Sequence, residues 1–203
     1  MPGHHGTPGI RALLCDIDGV LRIWPPVDRL ERDHGLPLGS IAAAAFSAER
    51  LLPAITGAIT DEQWRAAVAA DLAAASRTAA AAVEAWSALV PRVDREVLAL
   101  LTQAAAVVPV ALVSNATIRL ERDLEVQGVS GFSVINSARF GVAKPDPAIL
   151  LAAAKHVGVP AQECLFVDDT PANVDAATEI GMTARLYREV AQLRTALATA
   201  VRS

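Results

Sequence analysis

Five short apolar runs punctuate this chain, and the polar pattern between them turns helical. They cover residues 13–20, 107–113, 132–135, 164–167 and 182–186. The first, up to Asp16, the second and the fourth are continuous enough to read as strands buried on both faces, as in a parallel sheet; 132–135 and 182–186, interrupted by Ser133, Thr183 and Arg185, read as further short strands. Helical segments separate the later ones. One spans 93–106; a second spans 118–127 and stops at Gly128; a third starts with Asp146 as N-cap and Pro147 as first helical residue and ends near Gly158; a fourth runs from Thr170-Pro171 to Ile180, closed by Gly181. Strands alternating with helices imply right-handed crossovers and a parallel sheet with helices on both faces. The fold class is therefore α/β, a three-layer Rossmann-like core.

Residues 27–89 break this alternation. They are Ala-rich, without a strand pattern, and read as a separate bundle of about four helices ended by Pro91. Thr60 and Gln63 stand at capping-box spacing. Trp64, Val68 and Leu72 recur every four residues, and Val83 and Trp86 are three apart, so both sets mark single helical faces that belong to a core. Pro25 and Pro26 make the segment after Val20 a loop. The expected division is a disordered tail at 1–9, an α/β core at 10–21 and 90–203, and an all-helical domain at 22–89.

Composition narrows the partners. With 203 residues, 53% of them hydrophobic, the chain can bury a full core. A net charge of -4 offers no basic footprint for nucleic acid. No apolar run reaches the ~20 residues of a membrane span. Without a secretory leader the chain is expected to be cytoplasmic, a monomer or homodimer. Cys15 and Cys164, the only cysteines, sit in strand-like runs and are expected to be small buried hydrophobes. His4 and His5 lie in a Gly/Pro tail without supporting ligands and do not make a metal site.

The chemistry stands where the apolar runs stop. The first ends in Asp16-Ile17-Asp18-Gly19-Val20, the second in Ser114-Asn115-Ala116-Thr117, and the fourth in Asp168-Asp169; Lys144 precedes the Pro145-Asp146-Pro147 helix start. A parallel sheet brings all of these to one edge, where open α/β sheets bind ligands. Carboxylates gathered there repel unless a cation neutralises them, and hard oxygen ligands favour magnesium. That cation, Lys144, the Ser114 hydroxyl and nearby backbone N–H groups would suit a phosphoryl group. Asp16 can attack phosphorus, and Asp18 can protonate the leaving oxygen and later deprotonate water.

These four motifs, DIDGV at 16–20, SNAT at 114–117, Lys144 of KPDP and VDDTPANVDAA at 167–177, stand in the order of the haloacid dehalogenase superfamily, which the chain resembles. The resemblance implies that Asp16 is the nucleophile and Asp18 the general acid/base, and that Asp16, Asp168 and Asp169, with the Asp18 backbone carbonyl, are the Mg2+ partners. Either of Asp168 and Asp169 can be the direct ligand. It further implies that Ser114, Asn115 and Lys144 form the phosphate site, with Asn115 and Asn173 supporting it, and that the helical insertion is a mobile cap that selects substrates. Trp24, Arg22, His34 and Trp64 are candidates for cap or hinge roles. Arg22 and Trp24 carry the specificity expectation, although Arg22 and His34 also read as solvated, Trp64 as core, and Trp24 as facing the cleft.

The function implied is Mg2+-dependent hydrolysis of a small phosphorylated metabolite through an aspartyl-phosphate. Dehalogenating members carry Tyr where this chain has Asp18. Phosphonate-cleaving members use a cap lysine, whereas Lys144 and Lys155, the only lysines, lie outside the insertion. A sugar-phosphate mutase shares the Asp pair and is the nearest alternative. A regulatory binding protein on the same fold ranks below it, since no acid of the set is missing.

Overall fold

A computed structural model describes residues 9–200 of the chain. The expected disordered tail, with His4 and His5, falls outside the described residues except for Gly9. Five parallel strands, β1 (Ala12–Cys15), β4 (Val110–Ser114), β5 (Ser133–Asn136), β6 (Cys164–Asp168) and β7 (Thr183–Leu186), form one sheet in the order β5-β4-β1-β6-β7. Two-residue strands β2 (Arg22–Ile23) and β3 (Arg92–Val93) pair antiparallel in a separate ribbon. The three central strands are buried at every position, while β5 and β7 at the edges are half-buried. This is why the central runs are continuously apolar and the edge runs are not.

Alternation along β1 sorts the core into two layers. Leu13 and Cys15 pack with α6 (Arg95–Ala105), α7 (Leu120–Val126) and α11 (Val190–Ala200), through Val97, Leu101, Leu124 and Leu193. Ala12 and Leu14 face the other way, onto α9 (Pro147–His156) and α10 (Pro171–Glu179), through Ile149, Ala153 and Ala177. The sheet is thus covered on both faces.

Between β2 and β3 lie five helices: α1 (Asp28–Asp33), α2 (Ser40–Ala45), α3 (Ala48–Ile55), α4 (Asp61–Leu72) and α5 (Ala79–Ser87). They bury a cluster of their own, with Trp64, Val68 and Leu72 on α4 against Ile41, Ala45, Ala82 and Val83. Each such large side chain contributes about 1.5–3 kcal/mol of burial, so the insertion carries its own core. The Thr60–Gln63 capping box forms as read, with Gln63 N donating to Thr60 Oγ1 at 3.2 Å and Thr60 N to Gln63 Oε1 at 2.9 Å. The insertion holds five helices where about four were expected, with Gly39 and Ser47 starting α2 and α3 where composition alone shows no boundary.

Four features had no sequence expectation. The β2–β3 ribbon pairs two residues on each side, too few to show alternation. The single-turn α8 (Ser137–Phe140) follows β5 directly, and α11 closes the core with Leu193 and Leu197. A 3-10 turn at Ala161–Glu163 precedes β6. Among the described residues, no helix is long and apolar enough to cross a membrane.

Candidate active site

Register delivers the first two groups. Cys15 is paired with Leu112 on one side and Val167 on the other, so the next residues, Asp16 and Asp168, emerge together at the C-terminal edge of the sheet. Chain order reverses between β1 and β6, and open α/β sheets bind ligands at such a switch point. Lys144 reaches this point from the loop before α9. Its Nζ donates to Asp16 Oδ1 at 2.6 Å, Asp168 Oδ2 at 2.6 Å and the Val113 carbonyl at 2.8 Å.

All three side chains are buried, which makes their charges consequential. Burial pushes the Asp16 carboxyl up to about 7; the Lys144 ammonium opposes the rise and the Asp168 carboxylate adds to it. Burial alone would pull Lys144 down, but Asp16 and Asp168 outweigh it and hold the ammonium above its ordinary value.

The loop after β6 supplies the third acid. Asp168 Oδ1 accepts from Thr170 N and from Asn173 Nδ2, each at 2.9 Å, so Asn173 orients this carboxylate from the first turn of α10. The neighbouring Asp169 accepts the Thr170 hydroxyl at 3.1 Å, and its backbone carbonyl accepts Arg188 Nη1 at 2.9 Å. Oxygens of Asp16, Asp168 and Asp169 all lie within 4.8 Å of one another. Three carboxylates face one ammonium there, and a hard divalent cation fits both the donor set and the charge. Gly19 makes the approach possible: its φ is +95°, and a Cβ on it would stand 2.0 Å from Asp169 Oδ2.

Asp18 is not among these three clustered carboxylates. Arg22 grips it in a fork, Nε to Oδ1 at 3.0 Å and Nη2 to Oδ2 at 2.9 Å, and Trp24 Nε1 donates to Oδ1 at 2.9 Å. The expectation that Arg22 is solvated is corrected: it is 2% exposed, held over the Trp24 ring and beside Gln127. Its charge is buried because Asp18 compensates it. His34 is half-buried, its carbonyl accepting from Ser76 and Thr78. Trp24 is 45% exposed and lines the cleft, and Trp64 is buried in the helical core. The Asp18 carboxylate is thus outside the acidic cluster, although the residue stands two positions from Asp16.

Ser114 is buried at the end of β4. Asn115 has both side-chain atoms committed to the Lys144 backbone: Nδ2 donates to its carbonyl at 2.7 Å, and Oδ1 accepts its N–H at 2.8 Å. This side chain thus fixes the Lys144 loop, the supporting role expected of Asn115, while the residue also lines the cleft. The Lys144–Pro145 peptide is cis. Two residues unmarked by sequence tie down the rest of the SNAT loop. Asn136 Nδ2 donates to the Thr117 carbonyl at 3.0 Å, and Ala116 N donates to Ser137 Oγ at 3.1 Å. Both cysteines are fully buried, and burial holds each thiol above its ordinary range, to about 11 for Cys164.

A cleft of about 580 Å3 opens in front of Asp18 and Asn115, between the strand-end loops and the helical insertion. At its side Asp61, at the start of α4, is buried and joins the two halves. It accepts the Thr117 hydroxyl at 2.8 Å, pairs with Arg65, and lies 3.7 Å from Arg119. Arg65 and Arg119 both donate to Ser87. In sequence, Asp61 is one more acid in a helix's first turn, and nothing marks its partner 56 positions away.

The sequence pattern of the haloacid dehalogenase-like hydrolases matches residues 10–181. Flavin mononucleotide hydrolase 1 of Arabidopsis thaliana is 50% identical over 42 residues, 21% of this chain and 17% of that protein. Protein SUPPRESSOR OF QUENCHING 1 of the same plant is 43% identical over 77 residues, 36% of this chain and 7% of that protein. The chain therefore spans only a small part of either relative. Among solved structures, a haloacid dehalogenase family enzyme of Bacteroides thetaiotaomicron, in complex with magnesium and inorganic phosphate, superposes with a TM-score of 0.70. It is 23% identical, over 89% of this chain and 95% of that one.

Proposed function

The chain belongs to the haloacid dehalogenase-like hydrolases, and from that premise we propose that it is a Mg2+-dependent phosphatase acting on a small phosphomonoester through a phosphorylated Asp16. The observation that carries this reading is the convergence of Asp16, Asp168 and Asp169 around Lys144 at the sheet's switch point, with Asp18 at the cleft mouth. Asp16, Asp168 and Asp169 would hold the Mg2+, which supplies positive charge for phosphoryl oxygens when bound.

The chain's own groups carry the rest. A carboxylate oxygen of Asp16 bonds to phosphorus as the ester oxygen leaves, and that oxygen takes its proton from Asp18. Water then gives a proton to Asp18 and attacks the same phosphorus, releasing inorganic phosphate and the free Asp16 carboxylate. Lys144, fixed by Asn115 and the Val113 carbonyl, stays beside the attacking group and offsets charge as it builds. Asp18 must turn from Arg22 and Trp24 toward the ester, and those donors set where it waits between turnovers.

The relative that hydrolyses flavin mononucleotide and the neighbour holding magnesium and phosphate support the reaction class. The test is hydrolysis of para-nitrophenyl phosphate with and without Mg2+. Turnover is expected only with the metal, and Asp16→Asn is expected to lower kcat by roughly a thousandfold or more. Turnover that persists in Asp16→Asn, or no turnover across a broad ester panel, contradicts the proposal.

A further inference from the structure

Apart from the exposed Asp28, the acids of the cleft before Asp18 pair with neighbouring polar groups, and the walls leave aromatic surface uncovered. Asp18 is taken by Arg22 and Trp24, Asp61 by Thr117, Arg65 and Arg119, Ser87 by the same two arginines, and Asn115 by Lys144. A polyol entering such a cleft finds few donors and acceptors to replace its water, and a buried hydroxyl without a partner costs binding. The uncovered surface is of another kind. Trp24 is 45% and Phe46 57% exposed, both in the cleft wall, and Phe46 is braced edge-on by Trp86 at 6.2 Å. Trp86 in turn meets Trp64 at 5.4 Å, which anchors this aromatic wall in the core of the insertion. Large aromatic residues standing open in an otherwise self-satisfied cleft of about 580 Å3 suit a ligand that offers a flat face.

We propose that the substrate is a phosphomonoester whose alcohol carries a flat, largely apolar ring system, bound against Phe46 and Trp24 while its phosphate lies beyond Asp18. This rests on the phosphatase reading above. It separates that reading from the sugar-phosphate mutase, whose substrates bring hydroxyls and no flat aromatic face.

The test compares kcat/KM for flavin mononucleotide and adenosine monophosphate with that for ribose 5-phosphate, all with the phosphate on a terminal CH2–O carbon. The ring-bearing esters are expected to lead by tenfold or more, and Phe46→Ala to reduce that ratio about tenfold, the scale of one aromatic stack. Phe46 is more than half exposed, so its truncation leaves the fold intact; Phe46→Tyr keeps a stacking face and is expected to keep the ratio. A ratio at or below one, a ratio unmoved by Phe46→Ala, or turnover of para-nitrophenyl phosphate with neither ring-bearing ester hydrolysed overturns the inference. Failure of para-nitrophenyl phosphate as well overturns the phosphatase reading itself.

Discussion

On the proposed mechanism Asp16 meets two opposed demands: it must be ionised to attack, yet it is buried beside another carboxylate. The fold raises its carboxyl from the ordinary 3.8 to about 7, so the native state favours the neutral form. A raised acid contributes most to stability below its unfolded pKa, and loses that contribution as pH climbs through its folded value. Metal-free protein is therefore expected to lose thermal stability, relative to Asp16→Asn, as pH rises from about 4 through about 7. Added Mg2+, which needs the carboxylate, is expected to restore it at the upper end. Parallel melting curves for the two proteins across that range, showing no divergence, would contradict the placement of Asp16. At this scale the sequence was largely legible, because Asp16, Asp168 and Lys144 stand at the ends of apolar runs or before a marked helix start. Arg22 was not: a lone arginine after a strand reads as solvated until its fork with Asp18 is seen.

Among the elements, the joint between insertion and core carries the most information. The two crossings run side by side as the β2–β3 ribbon, which suits a hinge. Across the cleft the halves meet at Asp61, Thr117 and Arg119, and again where Gly57, after α3, lies against α8. Gly57 has φ +73°, and a Cβ there would stand 2.3 Å from the Ala138 carbonyl oxygen. Gly57→Ala meets both backbone strain and that clash, which together push the insertion off α8. Faster amide exchange in α3, α4 and α8 is expected, with β1, β4 and β6 unchanged; uniform protection in both proteins would contradict a separable insertion. The buried strands and capped helices were readable because each is fixed by local pattern. The ribbon, α8 and the Asp61 contacts depend on residues distant in sequence, and single-chain periodicity does not register them.

For the molecule as a whole, the sheet order does the gathering. Residues as far apart as Asp16, Lys144 and Asp168 meet because β1 lies between β4 and β6, both parallel to it. The helical insertion then covers that edge with a cleft whose aromatic wall is built from its own core. Asp16 is the group proposed to take the phosphoryl. The most direct measurement quenches the enzyme in acid during turnover with Mg2+ and an aryl phosphate, reduces it with borohydride, and sequences the active-site peptide. A phosphorylated Asp16 is expected to appear as homoserine at that position, in wild type and not in Asp16→Asn. Steady turnover with Asp16 recovered unchanged, or with the reduced residue found elsewhere, would contradict it.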